Sequence, residues 1–326
     1  MQLPIYNTIK KELLLDEKGC HFIQNQRNIT KNIFTKKEKR LVIVVGPCSV
    51  HNIEETLLYA EKLKKIISPL KNLFVIMRFY IEKSRSAFNW KGFLYDPFLD
   101  GSEDVITGIK FARKALIELT KLKIPAAMEF IDPFLSSYFT DLITWGFIGS
   151  RSCLCQFYRQ IAASLPFPMG FKNTPDGCID DAIKAAIFAQ KPQSCITLND
   201  DGRLNVTRAE GNPFAHVVLR GSYTKPNFAQ AENINFPLLV DCSHGNSQKN
   251  ANNQKQVFLN VLNATQKNPA IIGVMLESNL YHGNQKNKKN LLPGISITDS
   301  CISLDETEKL LNFADSLLYQ WQYQHQ

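Results

Sequence analysis

From residue 41 onward, short apolar and β-branched runs alternate with stretches of helical spacing. The runs at 41–45, 74–80, 125–130, 147–150, 168–172, 216–220, 237–243 and 271–277 read as strands. Those at 53–67, 105–122 and 179–189 read as helices between them. Such alternation implies parallel strands joined by crossover helices, the α/β class. Two more short runs, 195–198 and 204–208, flank Asn199-Asp200-Asp201-Gly202, a hairpin turn signal. Taken as an inserted β-hairpin (about 195–208), they leave eight strands, the number a (β/α)8 TIM barrel needs. A doubly wound sheet would tolerate eight as well. Residues 1–40 are polar and Asn/Lys-rich, with a short helix expected around residues 10–16. They read as an N-terminal arm ahead of a single barrel domain over 41–326.

No apolar run approaches the roughly 18 residues of a membrane span. The first residues, broken by Lys10, Lys11, Glu12 and Asp16, lack the apolar stretch and cleavage site of a signal peptide. A soluble cytoplasmic protein is expected, with no membrane partner. The eight cysteines are scattered, none in CxxC spacing, and read as mostly free thiols. The net charge of +8 raises the question of nucleic acid. Lysine is spread over the whole chain, however. The clusters at 36–40 and 286–289 read as solvated surface, so no nucleic-acid partner is expected.

The ends of the expected strands carry the chemistry. Cys48 follows the first, Arg78 and Lys83 the second. Glu129 lies on the third, Arg151 follows the fourth and Lys172 ends the fifth. Arg220 ends the sixth, His244 follows the seventh and Glu277 ends the eighth. Barrel active sites gather at these C-terminal ends. Arg78, Lys83, Arg85, Arg151, Lys172 and Arg220 would repel one another unless an anion sat among them. Arginine forks match phosphate and carboxylate, and lysine adds a point charge. Phosphorylated substrates fit; a nucleotide fits less well, because neither GxGxxG nor GxxxxGK[ST] occurs. Cys48, His244, Glu277 and Asp299 form a second set, with mixed S, N and O donors suited to a divalent transition ion. A lone buried cysteine after Gly46-Pro47 would equally serve packing.

Gly46-Pro47-Cys48-Ser49-Val50-His51 resembles a motif of the type I (class I-α) 3-deoxy-D-arabino-heptulosonate-7-phosphate (DAHP) synthases. The resemblance continues through Met77-Arg78-Phe79-Tyr80-Ile81-Glu82-Lys83, Asp96-Pro97-Phe98-Leu99-Asp100-Gly101-Ser102 and Gly170-Phe171-Lys172-Asn173. It runs on through Val218-Leu219-Arg220-Gly221, Asp241-Cys242-Ser243-His244-Gly245-Asn246-Ser247, Glu277-Ser278-Asn279 and Ser296-Ile297-Thr298-Asp299. It covers about residues 41–315, in order and at similar spacing.

The resemblance implies a transferase that condenses phosphoenolpyruvate (PEP) with erythrose 4-phosphate, giving DAHP and phosphate at the head of the shikimate pathway. It implies a divalent metal ion (Mn, Fe, Co or Zn) on Cys48, His244, Glu277 and Asp299. PEP would be held by Arg78, Lys83, Arg151, Lys172 and Arg220. Erythrose 4-phosphate would use Lys83-Ser84-Arg85-Ser86, with Lys83 and Glu129 in catalytic roles. A homo-oligomer, dimer or tetramer, is implied too. Feedback control by Phe, Tyr or Trp, where present, would use the N-terminal arm and a groove near strands three and four.

Some positions depart from the family pattern. Its Lys-Pro-Arg-Thr stands as Lys83-Ser84-Arg85-Ser86, which frees the loop. Its Arg-Gly-Gly stands as Arg220-Gly221-Ser222, and a proline, Pro175, follows Lys172-Asn173-Thr174. These changes leave every expected metal donor and phosphate cation in place. They keep two alternatives open: condensation of PEP with another phosphorylated aldose, and a ligand-binding homologue without turnover.

Overall fold

The structure, a computed structural model, describes residues 2–85, 89–286 and 290–323. Ser86 and the lysines at 288 and 289 therefore lie outside the described residues. The chain opens with two helices, α1 (Tyr6–Glu12) and α2 (Glu17–Phe34), rather than one around 10–16. Asp16 divides them: its carboxylate accepts from the Gly19 N–H at 2.7 Å and caps α2. Then follow β1 (Leu41–Gly46), α3 (Ile53–Ile67), β2 (Leu73–Arg78), α4 (Val105–Lys121), β3 (Ala126–Glu129) and β4 (Trp145–Ile148). Next come α5 (Gln156–Ser164), β5 (Met169–Lys172), α6 (Ile179–Ala189), β6 (Gln193–Leu198) and β7 (Leu204–Ala209). The chain continues as β8 (His216–Leu219), β9 (Leu238–Asp241), α7 (Ala251–Lys267), β10 (Ile271–Asn279), β11 (Ile302–Ser303) and α8 (Leu304–Tyr323).

Eight strands pair in parallel in the order β1-β2-β3-β4-β5-β8-β9-β10, and β1 closes the ring against β10. This is the (β/α)8 barrel the alternation predicts. The antiparallel β6–β7 hairpin stands outside the ring, and β11 adds two residues beside Ser278 and Asn279. The fourth strand begins at Trp145 rather than 147 and stops at Ile148. No helix among the described residues is long and apolar enough to cross a membrane.

The period-two alternation of strand side chains decides what fills the barrel. Val42, Val44, Phe74, Ile76, Ala127, Trp145, Phe147, Val218, Leu239 and Met275 form one buried cluster. Ile33 of α2 belongs to the same cluster, so α2 seals the N-terminal end. Continuing five of these strands by two residues reaches Arg78, Glu129, Arg220, Asp241 and Glu277. The parity that packs the lower barrel with hydrocarbon thus turns the ionisable groups into its upper mouth. At the lower end, His216 is fully buried. Its Nε2 accepts from the Trp145 indole N–H at 3.2 Å, and its Nδ1 faces the Phe214 carbonyl at 2.9 Å.

Candidate active site

At the C-terminal strand ends lies a cavity of about 280 Å³. Lys83, Ser84, Arg85, Glu129, Arg151, Lys172, Arg220, His244 and Asp299 all line it, so most of the expected site residues converge. Three glycines allow this convergence. A Cβ on Gly149 would stand 2.4 Å from Glu129 Oε1, so glycine here leaves that carboxylate its present position. Gly221, at φ +77°, and Gly245 lie back to back; a Cβ on Gly221 would meet the Gly245 carbonyl carbon at 2.5 Å. Their contact brings the loops of Arg220 and His244 together.

The cations are held by specific partners. Lys172 donates to Asp241 Oδ2 at 2.8 Å, and its ammonium sits 4.6 Å from the centre of the Phe147 ring. Burial draws the Arg220 guanidinium pKa down; Asp241 opposes this, and the neighbouring Arg151 adds to it. A buried guanidinium with a second one beside it makes a site for an anion. Arg78 does not line the cavity. It lies beneath, 1% exposed, stacked 4.1 Å from the Tyr80 ring and bonded to Glu277 Oε1 at 2.9 Å. Its Nη1 has no hydrogen-bond partner among the described residues.

Of the four expected metal donors, three group tightly. One ligand atom each of Cys48, Glu277 and Asp299 lies within 4.8 Å of the others. His244 stands at the edge of the group, its Nε2 3.7 Å from Glu277 Oε1. Its Nδ1 is 2.9 Å from Asp241 Oδ2 and 2.7 Å from Ser243 Oγ. Donation from Nδ1 to the carboxylate fixes the tautomer and leaves the Nε2 lone pair for a ligand. Lys83 closes the group from above, donating to the Cys48 carbonyl at 3.0 Å and to its Sγ at 3.2 Å.

Burial pushes the Cys48 thiol up to about 12, the Glu277 carboxylate adds to this, and Lys83 works against it. Burial favours a neutral Lys83 as well, but Cys48, Glu277 and Asp299 outweigh it and raise its pKa. Burial likewise opposes charge on Asp299, yet His244 and Lys83 hold its carboxyl below the usual range. Asp241 is held well below that range by His244 and Lys172, against its full burial. Buried Glu277, half-buried Asp299 and the Cys48 sulfur bring two O donors and one S donor within reach of one another. A divalent ion fits this set.

Sequence reasoning passed over Asp241, Tyr223 and Lys249. Asp241 is legible in retrospect as the inward-facing residue two past Leu239. Tyr223 and Lys249 line the cavity from loops, where no periodicity marks them.

A closed (β/α)8 barrel with converging cations and a Cys/Glu/Asp donor group at its C-terminal end belongs to the barrel enzymes of anionic substrates. The profile of the DAHP synthetase I family matches residues 21–312, and the chain belongs to that family. It is 38% identical over 304 residues to the phospho-2-dehydro-3-deoxyheptonate aldolase, Tyr-sensitive, of Salmonella typhimurium, covering 89% of this chain and 85% of that one. A phospho-2-dehydro-3-deoxyheptonate aldolase of Corynebacterium glutamicum is 36% identical over 316 residues, covering 91% of this chain and 86% of its own. Among solved structures, phospho-2-dehydro-3-deoxyheptonate aldolase from Francisella tularensis superposes with a TM-score of 0.94 at 35% identity. That match covers 98% of this chain and 97% of the other.

Proposed function

We propose that the protein condenses PEP with erythrose 4-phosphate to give DAHP and phosphate, as a cytoplasmic, metal-dependent transferase of aromatic amino acid biosynthesis. The observation that carries this is the adjacency of two features at the C-terminal mouth of the barrel. Lys83, Arg85, Arg151, Lys172 and Arg220 stand beside the Cys48–Glu277–Asp299 donor group, with Lys83 touching both. Arg151, Lys172 and Arg220 would hold the phosphate and carboxylate of PEP, and the free Nη1 of Arg78 offers one more donor from below. Arg85, whose Nε donates to the Trp90 carbonyl at 2.9 Å, would hold the acceptor's phosphate together with Ser84 and Ser86.

Cys48, His244, Glu277 and Asp299 would hold the divalent ion, which when bound polarises the acceptor aldehyde as a Lewis acid. C3 of PEP attacks that carbonyl carbon, a carbon–carbon bond forms, and C2 of PEP becomes electron-poor. Water adds to C2, and the tetrahedral intermediate expels phosphate. Lys83, kept protonated by the acids around it, supplies the proton for the new alkoxide. Glu129, given space by Gly149, orients and deprotonates the water. A panel of phosphorylated aldoses, read by phosphate release, separates the acceptors. Erythrose 4-phosphate is expected to exceed arabinose 5-phosphate at least tenfold; the reverse ranking would assign the protein another acceptor.

A separate cavity of about 580 Å³ lies where α1 and α2 meet residues 133–141 and the hairpin, lined by Tyr6, Lys10, Ser136, Phe157, Ile161 and Leu198 among others. We infer that it serves feedback control by an aromatic amino acid. Phe, Tyr or Trp should raise the thermal midpoint and inhibit turnover. No shift and no inhibition by any of the three would remove that role.

A further inference from the structure

The loop after β9 is left-handed at His244, assigned above, and at two residues that have no assigned role, Gln248 and Lys249. Three non-glycine residues within it adopt left-handed backbone: His244 at φ +55°, Gln248 at +55° and Lys249 at +60°. Left-handed geometry at consecutive non-glycine positions is costly and persists only where neighbours enforce it. Here the Lys249 N–H donates to the His244 carbonyl at 2.7 Å and the Gln248 N–H to the Gly245 carbonyl at 3.2 Å. On the far side, Asn250 caps α7 through the Asn252 N–H at 3.1 Å. This turn carries Lys249 into the wall of the anion cavity.

The cavity's cations are graded in depth. Lys172 and Arg220 are buried, whereas Arg85 and Lys249 are exposed at its rim. An aldose phosphate carries its aldehyde and its phosphate at opposite ends. If the aldehyde reaches inward to the Asp299 and Lys83 region, the phosphate must end at the rim.

We propose that Lys249 is a substrate-binding residue that holds the acceptor's phosphate together with Arg85, and that the left-handed turn at 248–249 exists to place it there. This rests on the proposed PEP–aldose condensation and deepens it: the rim loop, rather than the 83–86 loop alone, selects for a phosphorylated acceptor. One charge-assisted contact to phosphate corresponds to about a tenfold change in affinity.

The test is steady-state kinetics of wild type, Lys249→Met and Lys249→Arg with the metal supplied. Lys249→Met should raise the KM for erythrose 4-phosphate about tenfold, with kcat and the PEP KM within about twofold. Lys249→Arg should recover most of the loss. With unphosphorylated erythrose as acceptor, wild type and Lys249→Met should be equal. An unchanged KM for erythrose 4-phosphate overturns the proposal. So does a loss that is equal for erythrose and its phosphate, or one that falls on PEP or on kcat, because each assigns Lys249 a structural role. Failure of the underlying reading shows separately, in wild type, as no phosphate release with any aldose.

Discussion

Asp241 shows how one buried carboxylate can organise a cationic site. It accepts from Lys172 Nζ at 2.8 Å and from Ser243 Oγ at 2.6 Å, and it faces His244 Nδ1 at 2.9 Å. It therefore sets both the position of Lys172, the proposed PEP-binding lysine, and the tautomer of a proposed metal donor. Asp241→Asn keeps the shape and removes the charge, leaving the Lys172 ammonium buried without a counter-charge. Breaking a buried pair costs about 3–5 kcal/mol. The variant is expected to lose that order of stability in urea denaturation and more than about a hundredfold in kcat/KM, the latter from combined loss of binding and metal positioning. Retention of wild-type turnover would remove Asp241 from the site. The motif around His244 was legible in the sequence, because strand ends announce themselves. The role of Asp241 was not, because a carboxylate beneath a set of cations reads as one more charge until its contacts are known.

At the scale of elements, the barrel's lower end couples stability to pH. His216, on β8, accepts from Trp145 and donates to a carbonyl, an arrangement that only the neutral imidazole satisfies. Burial pulls its pKa down to about 3 from 6.5. The unfolded chain thus binds a proton that the folded chain refuses between those values. The stabilisation is complete above pH 6.5 and is lost as the pH falls toward 3. At pH 5 the loss amounts to about 2 kcal/mol. Urea midpoints of wild type should fall between pH 7 and 5, and His216→Gln should flatten that fall; an equal slope in both would refute the assignment. The helix that seals this end, α2, was hidden in the sequence for a physical reason. Its buried face is Ile23, Arg27, Thr30 and Ile33, so an arginine and a threonine occupy places where an apolar stripe would show. The Arg27 guanidinium is accommodated by the Ile143 carbonyl at 2.8 Å, a contact no local pattern reveals. The helices α3 and α6, with uninterrupted periodicity, were legible to the residue.

For the whole molecule, the β6–β7 hairpin is the conspicuous apolar projection. Ile196, Leu204 and Val206 are 58%, 66% and 78% exposed on an element outside the barrel ring. Ile196 and Leu204 also line the cavity beside the N-terminal helices. The +8 charge divides along similar lines. Part of it is the anion cavity, whose cations, Lys249 excepted, the sequence identified as one group. The rest is surface such as the 36–40 cluster, where Arg40 pairs with Glu38 at 3.1 Å.

The central claim is that the cation cavity and the donor group beside it act as one catalytic site. Phosphate release from PEP and erythrose 4-phosphate, followed in wild type and Cys48→Ala side by side with manganese supplied, tests it most directly. Wild type is expected to release one phosphate per DAHP formed, and Cys48→Ala to lose bound metal and turnover together. Absence of release by wild type across Mn, Fe, Co and Zn, or full turnover by Cys48→Ala, would contradict it.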